Sequence, residues 1–513
     1  MITVDDEVGQ ALHKIARGTG IIFAGTVISM FFGFLSRVII AREFSKAEYG
    51  VFNLALTVLS IGLVIATLGF PNALPREVAF YREKMPEKVD KLISTALIIV
   101  AVNSFVIMML LIFGSGFIAQ VFNEERLGYT LKVVVFALPF SALTGVIIST
   151  TQGFGRVREK VYFQNVVYPV LWLTLVLSFA VLNLPFASIF WAYVLAQSLT
   201  CLALFLEVFR VRIFEIKPYF DRKIGIKLVK FSVPLMLTGI AGFIMTWTDT
   251  LMLGYYKGSD VVGLYNAAAP LARLLPVFLN SAAFLYPAMV SPLYVQGKLE
   301  EMKRVYQVLT KWIFLLTLPI FSLMFLFPET VINFLFGAKY VSASSALQIL
   351  ALGFMFHTFL GLNGLSLVVI GESRFILISS IVSATFNVIL NVMLIPVYGM
   401  EGAAVATAAS YFLGNVLSSA KLYKETKIHP FSWNYVKPLV ISFVLLGVIK
   451  GLNLKVPGIW YAVPILVVFL GVYTLLVLLS RSIDKEDVEL LLAVEKRLGV
   501  DLGIIKRVLR RFV

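Results

Sequence analysis

Residues 92–113, LISTALIIVAVNSFVIMMLLIF, contain no charged side chain. At about 1.5 Å per residue, a helix of this length matches the hydrocarbon core of a bilayer, which is about 30 Å thick. The whole 513-residue chain has the same character, since 59% of its residues are hydrophobic and only 14% are charged. A soluble protein carries roughly 25% charged residues. The sequence therefore predicts an all-α polytopic membrane protein.

Similar apolar runs recur along the chain between charged residues and Gly/Pro breaks, and their number predicts about 14 transmembrane helices. Their predicted limits are 18–40, 49–69, 92–113, 129–151, 161–182, 187–208, 231–254, 262–289, 307–327, 346–370, 375–396, 401–420, 438–453 and 458–480.

The positive charges predict the orientation. If the N-terminus is cytoplasmic, the segments on that side contain 33 Lys and Arg residues and the opposite side contains 7. Because positive connections stay in the cytoplasm during insertion, we expect both termini to be cytoplasmic in a plasma-membrane protein. The net charge of +15 then reflects contact with anionic membrane lipids. We predict no nucleic-acid partner, because no basic run is interleaved with aromatic residues.

Two segments that open predicted spans resemble each other. Residues 49–53 read YGVFN and residues 262–266 read VGLYN, and an aromatic-Pro pair follows each, at 70–71 and 286–287. The two segments are 213 residues apart, which corresponds to six predicted spans. An offset of six spans predicts two parallel repeats around a central cleft, which is the architecture of a transporter. The predicted organisation is an N-lobe (1–208), a cytoplasmic linker (209–230), a C-lobe (231–423), two extra helices (424–480) and a basic amphipathic or solvated tail (481–513).

Three charged residues within predicted spans are the first candidates for a binding site: Arg37, Asp249 and Arg273. An ionisable group in the hydrocarbon costs roughly 2.5–3.5 kcal/mol or more, so it faces a partner or a wet cavity. Guanidinium groups suit phosphate, with which they form paired hydrogen bonds. We therefore predict a cationic cleft for an anionic headgroup, centred on Arg273. The alternative is an ion pair of Asp249 with either arginine that only holds helices together.

Further candidates are polar residues near the ends of spans. Asn53 and Asn266 occupy equivalent repeat positions and suit either sugar hydroxyls or interhelical packing. Arg76 suits either a headgroup at the cytoplasmic mouth or an interfacial anchor. Cys201 is the only cysteine, and no metal, phosphate-loop or nucleophile motif is present. We therefore expect no metal, no cofactor and no catalytic residue.

Longer motifs resemble a known family. Residues 263–287 begin GLYNAA, continue with RLLP from Arg273 and end with Tyr-Pro; residues 387–399 read NVILNVMLIPVYG and residues 401–407 read EGAAVAT. They are similar to polysaccharide-type lipid-linked oligosaccharide flippases, from the superfamily that includes multidrug exporters and lipid II flippases. The similarity covers essentially the whole chain.

The resemblance implies a function. It is the flipping of a polyprenyl-phosphate or pyrophosphate glycan from the inner to the outer leaflet, for cell-surface polysaccharide or glycoprotein biosynthesis. It implies that Arg273, and less directly Arg37, contacts the phosphate. We expect the protein to function as a monomer.

Three other functions stay open. A multidrug exporter of the same superfamily, coupled to Na⁺ or H⁺, would need acidic residues near the membrane midplane, where this sequence has Arg273 instead. A polytopic glycosyltransferase or glycan polymerase would need long outer loops, and none is predicted. A scaffold that transports nothing would not need Arg273.

Overall fold

The computed structural model describes residues 4–215, 219–452, 454, 456–482, 484 and 487, and every element in this part of the chain is a helix. The helices are α1 (Val4–Glu43), α2 (Lys46–Thr67), α3 (Phe70–Lys84), α4 (Val89–Val121), α5 (Glu125–Val134), α6 (Ala137–Gly153), α7 (Tyr168–Val181), α8 (Ser188–Val211), α9 (Arg222–Lys257), α10 (Ser259–Ala272), α11 (Val277–Val295), α12 (Leu299–Leu326), α13 (Pro328–Phe336), α14 (Ser344–Phe359), α15 (Asn363–Val369), α16 (Ser373–Thr426), α17 (Trp433–Gly451) and α18 (Ile459–Leu479).

The predicted number of spans is not confirmed. Among the described residues, 10 helices are long and apolar enough to cross a membrane, or up to 12 if two bent pairs are each one span. The bent pairs are α5 with α6 (47°) and α10 with the first turns of α11 (52°). The all-α, multi-span fold is confirmed and the count of 14 is not. The two counts are not directly comparable, because one apolar run can form two bent helices and two runs can join in one long helix.

Helix α16 is the clearest case of fusion. Its 54 residues cover both predicted spans 375–396 and 401–420. A straight helix of this length would extend about 80 Å, far more than a bilayer's thickness. Gly399 interrupts it with φ 59° and ψ −129°, a conformation that side-chain-bearing residues avoid. The kink therefore lets one helical element run in two directions.

The backbone contacts divide the chain into two units. Unit 1 consists of Met1–Asn266 and Asn391–Ala403, and unit 2 consists of Ala267–Leu390 and Ala404–Val513. The passage from unit 1 to unit 2 lies within α10, downstream of the predicted linker 209–230. The division into two six-helix lobes stays a prediction.

Each unit has an apolar core of its own. In unit 1, helices α3, α4 and α6 pack around Phe70, Ile93 and Ile147, with α8 and α9 against them. In unit 2, helices α11, α12 and α15 pack around Tyr286 and Tyr306. The predicted amphipathic tail at 481–513 lies outside the described residues apart from its first few positions.

Candidate functional site

Arg37 lies on α1 and is half-buried in unit 1. Its charge is close enough to act on the hydroxyl groups of Tyr49, Tyr168 and Tyr193. Gln197 donates a hydrogen bond to the Tyr193 hydroxyl at 3.3 Å. A guanidinium within electrostatic range of phenol and amide groups provides both a charge for phosphate and neutral hydrogen-bonding groups for sugar hydroxyls. We name this group the Arg37 cluster.

The sequence did not reveal the tyrosines of the Arg37 cluster. They come from three helices, α2, α7 and α8, and aromatic residues are common in membrane spans. One polar residue in the sequence does point to this cluster. Gln197 lies within a predicted apolar run, four residues after Tyr193. This spacing places the two side chains on one helix face.

Asp249 is 1% exposed on α9. Its carboxylate accepts one hydrogen bond from the Asn391 amide, at 2.9 Å, and another from the Tyr265 hydroxyl. These donors belong to α16 and α10, so three helical segments of unit 1 meet at one buried carboxylate. Such a group can take up a proton, or bind a cation together with neighbouring oxygens. Asn391, one of several asparagines within the predicted spans, contributes to this site.

The two predicted asparagines are both buried and hydrogen-bonded to protein groups. The Asn53 amide donates to the carbonyl of Tyr49, one turn earlier in α2, at 2.7 Å. The Asn266 amide donates to the Thr250 hydroxyl at 3.2 Å and to the carbonyl of Val262 at 3.0 Å. Asn266 therefore links α10 to α9, beside the Asp249 carboxylate.

Arg273 lies in the break between α10 and α11, within unit 2, and is half-buried. Arg273–Pro276 form the turn that joins the two helices, where the chain bends by 52°. A break of this kind presents the first N–H groups of α11, where the helix dipole is positive. The sequence predicted one continuous span here. The structure instead places Arg273 in the turn that leads into the N-terminus of α11, and an arginine near a helix N-terminus suits an anion.

Arg76 lies on α3 with 66% of its side chain exposed. Its guanidinium contacts the carboxylate of Glu77 at 2.9 Å and lies 4.7 Å from the centre of the Phe231 ring. Exposed ion pairs contribute little to stability. These contacts leave most of the guanidinium accessible to solvent or to a headgroup.

Unit 1 also contains a cavity of about 320 Å³ between the α2–α3 break and α9. Leu68 and Gly69 both have positive φ at this break, which turns the chain between the two helices. The cavity is lined by three polar side chains, those of Thr67, Asn72 and Thr246. The backbone of α9 also borders it at Gly239 and Gly242. Its size and polar groups suit part of a sugar headgroup. In the sequence, only the glycine and the proline on either side of Phe70 indicate a break at this point.

Within the described residues, no group of three or more His, Cys, Asp or Glu side chains lies close enough together to hold a metal ion. Five of the six predicted site residues lie in unit 1, and the sixth, Arg273, lies in unit 2. In unit 1, Asp249 and Asn266 are brought together around Tyr265 and Thr250.

Comparison with known proteins confirms the resemblance. A family model described as polysaccharide biosynthesis protein matches residues 15–292, and a model named MatE matches residues 234–393. The uncharacterized membrane protein MJ1068 of Methanocaldococcus jannaschii is 27% identical over 74% of this chain and 78% of its own. The probable low-salt glycan biosynthesis flippase Agl15 of Haloferax volcanii is 24% identical, over 84% of this chain and 89% of its own.

The fold is shared with a solved structure. The lipid II flippase MurJ in an inward closed conformation superposes with a TM-score of 0.73 at 18% identity, over 88% of this chain and 98% of that one.

Proposed function

The chain belongs to the polysaccharide biosynthesis protein family, and from this premise we propose that it is a transporter that flips a lipid-linked oligosaccharide from the inner to the outer leaflet. The observation that carries the proposal is Arg273 at the α10–α11 break. Polar backbone at membrane depth is tolerated where it is covered by protein or lines a cavity. A broken helix with an arginine in the break is suited to binding a lipid phosphate or pyrophosphate.

The energetic problem of flipping is the headgroup. Moving sugar hydroxyls through hydrocarbon would remove many hydrogen bonds, each costing roughly 2–7 kcal/mol if it is not replaced. In the proposal, the Arg37 cluster and the few polar groups that line the cavity beside Asn72 replace part of those hydrogen bonds. Arg76, largely exposed on α3, binds the incoming headgroup at the cytoplasmic mouth. Asn53 and Asn266 support the site by fixing α2 and α10 rather than by contacting sugar.

Asp249 is the proposed coupling residue. A buried carboxylate held by a tyrosine hydroxyl and an asparagine amide can exchange a proton or Na⁺ when the segments that carry those donors move apart. The ion would then bias the transport cycle without contacting the glycan. We propose no bond-making or bond-breaking step, because lowering the translocation barrier requires none.

The proposal is tested by reconstituting the full chain into vesicles with a fluorescent polyprenyl-pyrophosphate sugar and following exchange between leaflets. Arg273→Ala should slow exchange strongly, and Arg273→Lys should restore only part of it, because lysine loses the paired hydrogen bonds. Arg158→Ala is the matched control, since it removes an exposed arginine on the α6–α7 connection. Normal lipid exchange in both Arg273 variants would show that Arg273 is not needed to bind the phosphate.

A multidrug exporter is the second candidate, because the MatE family model matches residues 234–393. The same vesicles distinguish the two functions. Expulsion of cationic dyes against an imposed Na⁺ or H⁺ gradient, with no exchange of lipid-linked sugar, would favour the exporter. A glycan polymerase would instead lengthen the sugar chain, which mass spectrometry of the recovered lipid would detect.

A further inference from the structure

His357 is the only histidine within the predicted spans, and it lies near the middle of the predicted span 346–370. It belongs to α14, which ends two residues later. The span then breaks at residues 360–362, where Gly361 has a φ of 72°, and continues as α15 from Asn363. Ionisable residues inside spans, and interruptions of spanning helices, are both places where transporters bind ions.

The break is covered by two hydroxyl groups from neighbouring helices. Tyr435 on α17 donates to the carbonyl of Phe359 at 2.8 Å, and Tyr306 on α12 donates to the carbonyl of Leu360. An interrupted helix leaves such carbonyls without a partner in the helix. Unpaired backbone groups are costly at membrane depth unless protein or a wet cavity covers them. The break is therefore a stable feature of unit 2.

The His357 ring contacts the side chain of Asn415 on α16, a residue that is 6% exposed. The Asn415 amide nitrogen donates to Nδ1 of His357 at 2.8 Å and to the carbonyl of Tyr411 at 2.7 Å. Both amide hydrogens are then used, so Nδ1 accepts and the neutral ring carries its proton on Nε2. The Asn415 Oδ1 atom lies 3.1 Å from the same Nδ1. Asn415 thus places a donor and an acceptor within hydrogen-bond distance of one ring atom.

This arrangement accommodates a second protonation state. When a proton from water binds the lone pair of Nδ1, the ring becomes a cation, and Nδ1–H can donate to Oδ1 of Asn415 without a shift of either helix. The ring centre of Tyr411 lies 5.3 Å from that of His357, and an aromatic ring within about 6 Å stabilises a cation. Nδ1 therefore has a hydrogen-bond partner in both states.

The other titratable groups around α14 have partners of their own. Tyr411 is a neutral phenol near pH 7, and Tyr306 and Tyr435 donate to the break. Glu329 on α13 and Lys339 precede α14, whereas His357 lies near its C-terminal end. The charged residues next to these contacts on the packed helices are Lys311 on α12, bound to Asp484 and Asp487, Lys421 on α16, bound to Glu372 and Glu425, and Lys437 on α17, bound to the carbonyl of Ser480.

Asn363 connects the ring to α15. It is 4% exposed, and its amide donates to Oδ1 of Asn415 at 3.2 Å and to the Ser419 hydroxyl at 3.0 Å. Its own Oδ1 accepts the N–H of Gly364 at 2.6 Å, in the first turn of α15. In the protonated state His357 and Asn363 donate to the same oxygen, and this sharing weakens the hydrogen bond of Asn363. Protonation of the ring therefore acts on the first turn of α15.

Helix α15 in turn packs against α11. The hydroxyl groups of Tyr286 on α11 and Ser366 on α15 are 2.6 Å apart. Helix α11 follows the turn that contains Arg273, and all of these residues belong to unit 2. A change in α15 can thus reach the helix that begins at the proposed phosphate site.

We propose that His357, Asn415 and Asn363 form a proton-binding site in unit 2, and that the bound proton loosens the first turn of α15. The site is separate from Asp249, which belongs to unit 1. Proton binding and the loosening of α15 need no substrate. Their effect on Arg273 and on transport rests on the function proposed above.

Proton binding is measured by NMR on the full chain in detergent, with histidine isotope-labelled at Cε1. The chain has three histidines, His13, His357 and His429, so His357→Gln identifies one of three signals. We expect the His357 signal to titrate between about pH 5 and about pH 9. The control His429→Gln removes a histidine outside the predicted spans and should leave this titration unchanged. A His357 signal that stays constant over the whole range would overturn the proposal.

Substitutions of Asn415 test whether it belongs to the site. Asn415→Leu removes the acceptor for the protonated ring and should weaken proton binding about tenfold, which corresponds to about 1.4 kcal/mol. Asn415→Asp keeps the shape but places a carboxylate beside the ring, and it should strengthen proton binding about tenfold or more. This second variant decides the matter if Asn415→Leu does not fold. Equal proton affinity in wild type and Asn415→Asp would reject the assigned site.

Loosening of α15 is measured by hydrogen exchange of residues 360–370, above and below the midpoint of the His357 titration and corrected for the chemical exchange rate. Wild type should exchange about fivefold faster in the protonated state, because a hydrogen bond that holds the first turn is weakened. The corrected rate should not depend on pH in His357→Gln, and His429→Gln should behave as wild type. Equal corrected rates in wild type at both pH values would refute the link to α15.

The two proposals fail separately. Titration of His357 in a protein whose wild type exchanges no lipid-linked sugar would keep the proton site and reject the flippase. Normal sugar exchange with a His357 signal that does not titrate would do the reverse.

Discussion

The Nζ atom of Lys311 lies 2.6 Å from Oδ2 of Asp484, and both side chains are buried, at 3% and 9% exposure. The same ammonium group contacts Asp487. Trp312 donates its indole N–H to Asp487 at 2.8 Å, and Asn434 donates to Asp484 at 2.7 Å. The residues that follow α18 therefore hold a lysine of α12 within unit 2. We name this group the Lys311 cluster.

Removing one partner of the Lys311 cluster should destabilise the protein. Lys311→Met leaves two buried carboxylates without their main cation, and breaking a buried pair in this way costs about 3–5 kcal/mol. We expect a clear fall in the thermal unfolding temperature of the detergent-solubilised protein. The triple variant with Asp484→Asn and Asp487→Asn should unfold at a higher temperature than Lys311→Met alone, because no buried charge of the cluster is left unpaired. A triple variant less stable than Lys311→Met would contradict the cluster's role.

The Lys311 cluster also predicts a dependence on pH. Burial by itself would raise the pKa of Asp484, but hydrogen bonds from Lys311 and Asn434 and the charges of Lys311 and Arg304 outweigh it and lower the pKa. A lowered pKa in the folded state stabilises the protein above the unfolded value, which is about 3.9 for Asp. That stability is lost as the pH falls through the folded pKa.

Wild type and Asp484→Asn should therefore differ by a constant stability above about pH 5, and the difference should shrink as the pH falls below about 4 and through the lowered pKa of Asp484. Unfolding temperatures measured across this range check the expectation. A difference that is independent of pH would show that Asp484 acts by shape alone.

Gly399 should resist replacement because of its backbone conformation. With φ 59° and ψ −129°, an alanine at this position would be strained by about 1–3 kcal/mol. We expect Gly399→Ala to lower the unfolding temperature, whereas Gly447→Ala, in a regular part of α17 with open space around it, should be neutral or slightly stabilising. Equal effects of the two substitutions would mean that the kink tolerates a side chain.

The sequence predicted the all-α membrane fold because spanning segments need about 20 apolar residues, and composition alone reveals them. It could not predict the bends. The apolar residues on both sides of Arg273 read as one span, and only the backbone geometry shows that the helix breaks there.

The sequence could not pair Lys311 either, because its partner Asp484 is 173 residues away. The candidate site was predicted in part for a similar reason. Charged residues inside spans are conspicuous, so the sequence singles out Arg37, Asp249 and Arg273 as candidates. Their neutral partners, such as Tyr265, Asn391 and the lining of the Asn72 cavity, resemble ordinary polar residues of membrane helices.

Asp249 should couple an ion gradient to transport. Asp249→Asn keeps the shape and an oxygen that accepts from Tyr265, but it removes the charge that attracts a proton or Na⁺. We expect the variant to fold and to exchange lipid-linked sugar at a basal rate, while losing the acceleration that an imposed gradient gives the wild type. Asp260→Asn, on the exposed side of α10, is the matched control and should keep the response. The measurement is leaflet exchange in vesicles with and without a Na⁺ or H⁺ gradient, and a full gradient response in Asp249→Asn would place coupling elsewhere.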